Sequence, residues 1–358
     1  MKKKLNIGLI FGGRSGEHEV SLKSAKEVMN SLDSEKYNVI PLAITKTGKW
    51  LLGEKGNEYM TLNLPQAGQA GGVAVGEPRN LIATEKSSGL TQFSEGESDF
   101  KLDIVLPIGH GNFMEDGKLQ GMLDMLGLPY VFSGTLTSAL AMNKQKTKLI
   151  AKSVGLKIAK EFSVYRGKKY NRDKIIQKLG LPIVVKPVES GSSVGMSICR
   201  EAEKLEQAIS KAFEYSREVM LEQFIQGREL TVAVMGNDHP KALPVIEIIP
   251  KIADFFSYEA KYQAGGSEEI CPADIPEEVR RKVQRYAINI FKALGCQDLA
   301  RADFIWNEND NKLYFLEINT IPGMTSASLA PKAAKAAGMT FPQFLDKLIR
   351  FAINRQAE

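Results

Sequence analysis

Three short apolar runs near the start of the chain constrain its fold most. LNIGLIF (residues 5–11) ends in Gly12 and Gly13, an amphipathic segment SLKSAKEVMNSL (21–32) follows, and YNVIPLAI (37–44) is the next apolar run. Strand, loop, helix, strand is the opening of a parallel sheet, whose strands are buried on both faces and therefore read as near-continuous hydrophobic stretches. DIVLPIGH (103–110) supplies another strand of the same kind. The first run is only about half the length of a membrane span and leads into glycines rather than a cleavage site, which makes it a strand and not a signal or anchor.

With 358 residues, two or three domains are expected. Residues 60–100 are rich in Gly, Ser and Glu without periodicity and read as hairpins or loops. A Lys-rich helix, NKQKTKLIAKSVGL (143–156), opens a second unit that continues through PIVVKP, the glycine hairpin ESGSSVGM, the helix EAEKLEQAISKAF and the strand EVMLEQFI. A third begins with RELTVAVMG and carries the helix PEEVRRKVQRYAINIFKALG, where Val279, Val283, Ala287, Ile290 and Leu294 recur at helical spacing. FPQFLDKLIRFAI closes the chain as a helix. The expected class is α/β and α+β in three domains, 1–130, 131–226 and 227–358, the first built on a parallel sheet.

Composition narrows the function. Hydrophobic residues make up 43% and charged residues 25%, the balance of a soluble enzyme. Lys and Arg exceed Asp and Glu only by 47 to 42, with no dense basic cluster beyond Met1–Lys4, which argues against a nucleic-acid partner and leaves small anions plausible. Cys199, Cys271 and Cys296 are scattered, odd in number and without metal-ligand spacing, as suits a reducing cytoplasm.

The chemistry concentrates in one hairpin. LARADFIW (299–306) and YFLEINTIPGMT (314–325) flank the turn-forming NENDN, and side chains two apart in a strand share a face. With the turn centred near Asn309, Arg301 falls opposite Glu317 and Asp303 opposite Phe315, so Arg301, Asp303, Glu317 and Asn319 share one face and one end. Two carboxylates and an amide oxygen are hard ligands that leave coordination sites for phosphate oxygens, the usual way of holding Mg²⁺ in nucleotide enzymes. Four isolated polar residues would ordinarily be a solvated surface, so the rest of the chain decides. Lys186 ends an apolar strand before Pro187, and Lys144 begins a helix. Each alone is more often a snorkelling surface lysine. In ESGSSVGM, backbone N–H groups can close over phosphates, with Gly191 and Gly195 permitting close approach and Ser192 and Ser193 offering hydroxyls. No GxxxxGK[ST] loop is present, and GGRSG departs from the dinucleotide fingerprint. His110, at a strand end, could contact a substrate or its amine proton, although a lone histidine is more often structural.

In order and spacing, VVKP, SGSSVG, LEQFIQGREL, RADF and LEINTIPGMTSAS, with FGGRSGEHEVSL and HGNFMEDGKLQG before them, resemble the ATP-grasp ligases and within them the D-alanyl-D-alanine ligases. The resemblance covers nearly the whole chain. It implies a three-domain enzyme with ATP between the central and C-terminal domains, phosphates met by Lys144, Lys186 and Ser193, adenine by Glu222 and the Ile225 backbone, and ribose by Glu229. Asp303, Glu317 and Asn319 would hold two Mg²⁺ or Mn²⁺ ions, and Arg301 and the Gly323 N–H would stabilise an oxyanion. Glu17, Ser192 and Tyr262 would surround the substrate, Lys261 would meet phosphate and the substrate carboxylate, and Ser328 the carboxylate of the second D-alanine. A mobile lid over 252–272, a homodimer, and a bacterial cytoplasm making peptidoglycan precursors are further implications. Met114 stands where the family usually has glycine, and Asn143 where aspartate is usual. The presence of Tyr262 favours an amine over D-lactate as second substrate. A D-alanyl-D-serine or D-alanyl-D-lactate ligase and a non-catalytic ATP-binding regulator are the alternatives.

Overall fold

The computed structural model describes residues 3–64, 92–95, 98–191, 194–251 and 266–356. The opening strand-helix-strand pattern forms as expected. β1 (Leu5–Gly12) pairs in parallel with β2 (Tyr37–Ile44), and α1 (His18–Ser31) lies between them in sequence. A short β3 (Trp50–Leu52) adds an antiparallel edge to β2 and leads into α2 (Gly53–Asn63), so part of the stretch read as loop is helical. β4 (Gln92–Glu95) and β5 (Ser98–Lys101) make a hairpin, and β6 (Ile104–Pro107) completes a mixed sheet in the order β3-β2-β1-β6. α3 (Lys118–Met125) and α4 (Thr135–Met142) follow. Ser21, on α1, ties the sheet together: its hydroxyl donates to Ile108 O and accepts from Gly12 N, both at the carboxyl end of the strands.

α5 (Lys144–Ser153) begins at Asn143, whose side chain accepts from Lys146 N and caps the first turn. The second sheet is wholly antiparallel, β7-β10-β8-β9, from β7 (Glu161–Tyr165), β8 (Ile183–Pro187), β9 (Ser197–Cys199) and β10 (Glu218–Gln223). α6 (Arg172–Leu179) and α7 (Leu205–Phe213) cover one face, burying Val164, Ile175, Val185, Ile209 and Leu221 together.

The third sheet runs β14-β13-β11-β15-β16, with β12 (Lys241–Ala242) on β11. Its strands are β11 (Arg228–Met235), β13 (Ile246–Pro250), β14 (Ser267–Ile270), β15 (Leu299–Asn307) and β16 (Lys312–Asn319). α8 (Glu277–Leu294) packs on it through the helical-period residues Val279, Val283, Ala287, Ile290 and Leu294, all buried. Ala151 of α5 and Ala141 of α4 share this core rather than that of the second sheet. α9 (Leu329–Ala336) lies against β11. α10 (Phe341–Gln356) instead returns to the first sheet, where Phe344, Leu345 and Leu348 pack with Ile7, Leu9 and Phe11. Among the described residues, no helix is long and apolar enough to cross a membrane.

The β15–β16 hairpin forms, but its register corrects the expected one. Arg301 pairs with Asn319, Asp303 with Glu317 and Phe304 with Phe315. The turn is Glu308–Asn311, centred half a residue beyond Asn309 and tied by Asn307 Oδ1, which accepts from Asn309 N at 2.9 Å. A β-bulge then inserts Leu316 as an unpaired residue. In a bulge two successive residues oppose one partner, so the strict alternation of faces is broken once. Leu316 and Glu317 consequently line the same cavity, while Phe315 and Ile318 point into the core.

Candidate active site

The four polar residues of the hairpin do converge. Arg301 grips Asp303 through two parallel bonds, Nε to Oδ1 at 2.9 Å and Nη2 to Oδ2 at 2.8 Å. Thr231 on β11 donates to the same Oδ1 at 2.5 Å, and Asn319 Nδ2 to Oδ2 at 3.2 Å. Glu317 lies 3.6 Å from the ammonium of Lys144. Fork-to-carboxylate pairing of this kind fixes orientation as well as charge.

Lys144 begins α5 and donates to Ser190 O at 2.5 Å, fastening the helix to the glycine hairpin. Lys186, one place before the end of β8, is buried and reaches Glu222 Oε2 at 2.5 Å. The other oxygen of Glu222 accepts from Lys148, whose side chain is wholly enclosed. Burial opposes ionisation of Glu222, but the two ammonium groups outweigh it and hold the carboxyl down at about 2. Burial also works against the charge of Lys186, yet Glu222 and Glu317 keep its pKa above the ordinary value. Gly195 turns the hairpin with φ +76, and a Cβ there would meet Tyr215 Cδ2 at 2.5 Å, so the tight return needs glycine.

The N-terminal sheet delivers a third group of residues. Glu17 precedes α1 and is buried. A Cβ placed on Gly111 or on Gly191 would lie 3.2 Å from Glu17 Oε2, so this carboxylate stands between the 110 loop and the glycine hairpin. His110 is buried and its Nδ1 donates to Ile321 O at 3.1 Å, which leaves Nε2 as the proton-free nitrogen. Nε2 is buried and has no hydrogen-bond partner among the described residues, and burial lowers the pKa of the ring, keeping it neutral. Glu115, which the sequence reading passed over, accepts from Gly111 N at 2.7 Å. Burial, then the nearby Glu17, push its pKa up to about 8. Ser328 stands just before α9, beside Gly323, its Oγ 2.9 Å from where a Gly323 Cβ would stand, and its hydroxyl is bonded to Thr325. Asn143 Nδ2 donates to Glu189, and Met114 is buried over Gly13 and Gly109, so both departures from the family pattern have structural partners.

Lys144, Lys186, Glu222, Asp303 and Glu317 border one cavity of about 140 Å³ between the second and third sheets. Val184, Ile198, Ile225, Ile305 and Leu316 form an apolar slot suited to a flat heteroaromatic ring, with Glu229 at its rim. Lys144, Lys186, Asp303 and Glu317 lie at the charged end, and a smaller recess lined by Glu115, Gly191, Glu317 and Asn319 continues from it. A purine ring at one end and a polyphosphate at the other match this polarity. The donor set of two carboxylates and one amide fits a hard divalent cation, and Arg301 and Lys144 already lie against its two acids as cationic partners. Because the third donor is an amide, no cluster of three His, Cys, Asp or Glu occurs among the described residues. A larger cleft of about 660 Å³, lined by Phe113, Arg166 and Tyr215, contains none of the metal-ligand candidates. Ser192, Ser193, Lys261, Tyr262 and most of the expected lid lie outside the described residues. Lys148 and Glu161 were also missed; of these Lys148 had a visible signal, one helical turn from Lys144.

The chain is similar to known proteins along nearly its whole length. The family model described as D-ala D-ala ligase N-terminus matches residues 6–133, and that described as D-ala D-ala ligase C-terminus matches 150–350. A D-alanine–D-alanine ligase of Natranaerobius thermophilus is 39% identical over 99% of this chain and 97% of its own, and one of Oceanobacillus iheyensis is 40% identical over 99% and 96%. Among solved structures, the D-alanine-D-alanine ligase of Coxiella burnetii superposes with a TM-score of 0.83 at 32% identity, covering 99% of this chain and 95% of that one. The VanG D-Ala:D-Ser ligase of Enterococcus faecalis gives 0.80 at 34%, covering 98% and 100%, and the Bacillus anthracis D-alanine–D-alanine ligase complexed with ATP gives 0.73 at 28%, covering 99% of each. Matched in both halves and carrying the charged hairpin at its centre, the chain belongs to the D-alanine–D-alanine ligase family of ATP-dependent ligases, with the ATP-grasp fold.

Proposed function

We propose that this enzyme joins two D-alanine molecules into D-alanyl-D-alanine at the expense of ATP, for peptidoglycan precursors. The supporting observation is the meeting of Asp303 and Glu317 with Lys144 and Lys186 around one cavity that is apolar at its far end, with Arg301 and Asn319 bonded to Asp303. A carboxylate is a poor electrophile, so an oxygen of the first D-alanine attacks the γ-phosphorus, the bond to ADP breaks, and an acyl phosphate forms. The amine of the second attacks the acyl carbon and inorganic phosphate leaves. Two Mg²⁺ or Mn²⁺ ions held by Asp303, Glu317 and Asn319 would neutralise charge on the transferring phosphoryl group. Lys144 and Lys186 bind the phosphates, the Ile225 backbone and Glu222 the adenine, and Glu229 the ribose. Arg301 and the N–H of Gly323 face the oxyanion, such a donor lowering the barrier by about 3 kcal/mol.

Glu17, set between Gly111 and Gly191, is placed to hold the ammonium of the first substrate, and Ser328 the carboxylate of the second. The bare Nε2 of neutral His110 is the acceptor for the proton that the attacking amine gives up. Ser192 and Tyr262 complete the substrate wall, Ser193 and Lys261 the phosphate contacts. The three-domain division at 130 and 226, a lid over 252–272, a homodimer and a cytoplasmic location belong to the same reading.

Phosphate release from ATP with D-alanine, Mg²⁺ and the purified enzyme tests it: release with D-alanine and not L-alanine is expected. The likeness to a D-Ala:D-Ser ligase makes D-serine the second reading. Equal release with D-serine or D-lactate beside D-alanine would replace the dipeptide assignment, and ATP binding without D-alanine-dependent hydrolysis would leave a regulator.

A further inference from the structure

Lys148 has no task in the chemistry above, yet its side chain is wholly buried, a location that is costly for an ammonium group. It reaches from α5 to Glu222 Oε1, while Lys186 takes Oε2 of the same carboxylate at 2.5 Å. Directly across the β7–β10 ladder from Glu222 stands Glu161, with Oε2 buried and lacking a hydrogen-bond partner among the described residues. Two lysines and two glutamates thus cluster at and behind the pocket wall. Only Lys186, Glu222 and their neighbours border the cavity; Lys148 is sealed behind them.

This arrangement has a consequence for any polyphosphate that enters. Lys186 is shared between Glu222 and the incoming oxygens, and each phosphate contact draws it away from the carboxylate. Were Lys186 the sole counterion, its departure would strand Glu222 as an uncompensated buried charge, a penalty subtracted from nucleotide affinity. Lys148 stays with Glu222, because its side chain is wholly enclosed and bonded to Oε1.

We propose that Lys148 is a positioning residue of the nucleotide site, which keeps Glu222 fixed on the pocket wall while Lys186 is handed from Glu222 to the phosphates. This rests on the ATP-dependent reading and extends it to how the site is charged before and after the nucleotide arrives. Acting through Glu222, Lys148 affects nucleotide affinity and base preference and leaves the amino-acid sites alone.

The test compares Lys148→Met and Lys148→Arg in steady-state assays with ATP and GTP. Lys148→Met is expected to raise KM for ATP roughly tenfold. It should also lower the preference for ATP over GTP and leave KM for D-alanine within about twofold, with Lys148→Arg recovering most of the loss. A folded Lys148→Met enzyme with unchanged KM for ATP and unchanged base preference overturns the proposal, even if its melting temperature falls. If Lys148→Met is not recovered folded, Glu222→Gln and Glu222→Gln/Lys148→Met decide. The neutral amide needs no counterion, so the second substitution should add less than about twofold to KM for ATP, and a further loss of roughly tenfold counts against a role through Glu222. An inactive wild type would sink the parent reading instead, and calorimetric ATP affinities of wild type and variant would still separate the two outcomes for Lys148.

Discussion

Glu115 shows how much a single enclosed carboxyl can say about pH. Its pKa in the folded enzyme, about 8, stands well above the ordinary 4.5, because burial and then the neighbouring Glu17 disfavour its charge. The folded state therefore binds a proton more tightly than the unfolded chain does. This contribution to stability is complete below pH 4.5 and is lost as pH rises through about 8. Glu115→Gln keeps an oxygen for the Gly111 N–H and cannot ionise. In the enzyme without nucleotide or metal, the variant should gain on wild type between about pH 5 and pH 9, on the order of 3 kcal/mol, read from urea unfolding at each pH. A flat difference across that range would show that Glu115 is not held protonated. Arg301, Asp303, Glu317 and Asn319 were legible before any coordinates because a strand repeats every two residues. Glu115 was not, since nothing in HGNFMEDG reports that the loop folds inward. Lys148 sat in plain view one turn from Lys144, but its partner Glu222 is 74 residues away, and such pairing is a tertiary fact.

At the scale of elements, the bulge in β16 is the feature that one-dimensional periodicity does not carry. Alternation predicts that Leu316 and Glu317 face opposite ways, whereas both line the cavity. The extra residue adds an apolar wall beside the metal-ligand candidate without displacing it. Deleting Leu316 should leave Phe315 toward the core and Glu317 toward the cavity, so the variant should fold and lose chiefly nucleotide affinity. A KM for ATP higher by roughly tenfold, the worth of one buried leucine side chain, is the expected result. A variant with normal KM for ATP would remove Leu316 from the nucleotide wall. α8 was readable throughout because its five apolar positions keep a helical period and all are buried. α2 was not, since two glycines and only two buried positions, Gly56 and Met60, give it neither propensity nor a stripe.

The whole molecule is drawn together at its last turn. Arg355 of α10 donates to Asp298 Oδ2 at 3.0 Å and to Tyr130 O at 2.7 Å, while Phe132 N donates to the same Asp298 oxygen at 2.8 Å. Helix α10, the start of β15 and the Tyr130–Phe132 segment, which bridges to Val105 of β6, meet at one buried carboxylate. Arg355→Ala should therefore destabilise by on the order of 3 kcal/mol, read as a lower urea midpoint, with little change in the ATP KM. Sequence showed that a final amphipathic helix exists; it did not show that this helix crosses back to residues made first, because the choice of neighbour depends on surfaces that only the assembled sheets create. The same path orders biosynthesis. On the ribosome, β1 and β2 emerge well before α10, so Ile7, Leu9 and Phe11 stay without the cover of Phe344, Leu345 and Leu348 until α10 has been made. A sheet made early thus closes late, and a polypeptide that stops short of α10 would carry it open to chaperones and proteases.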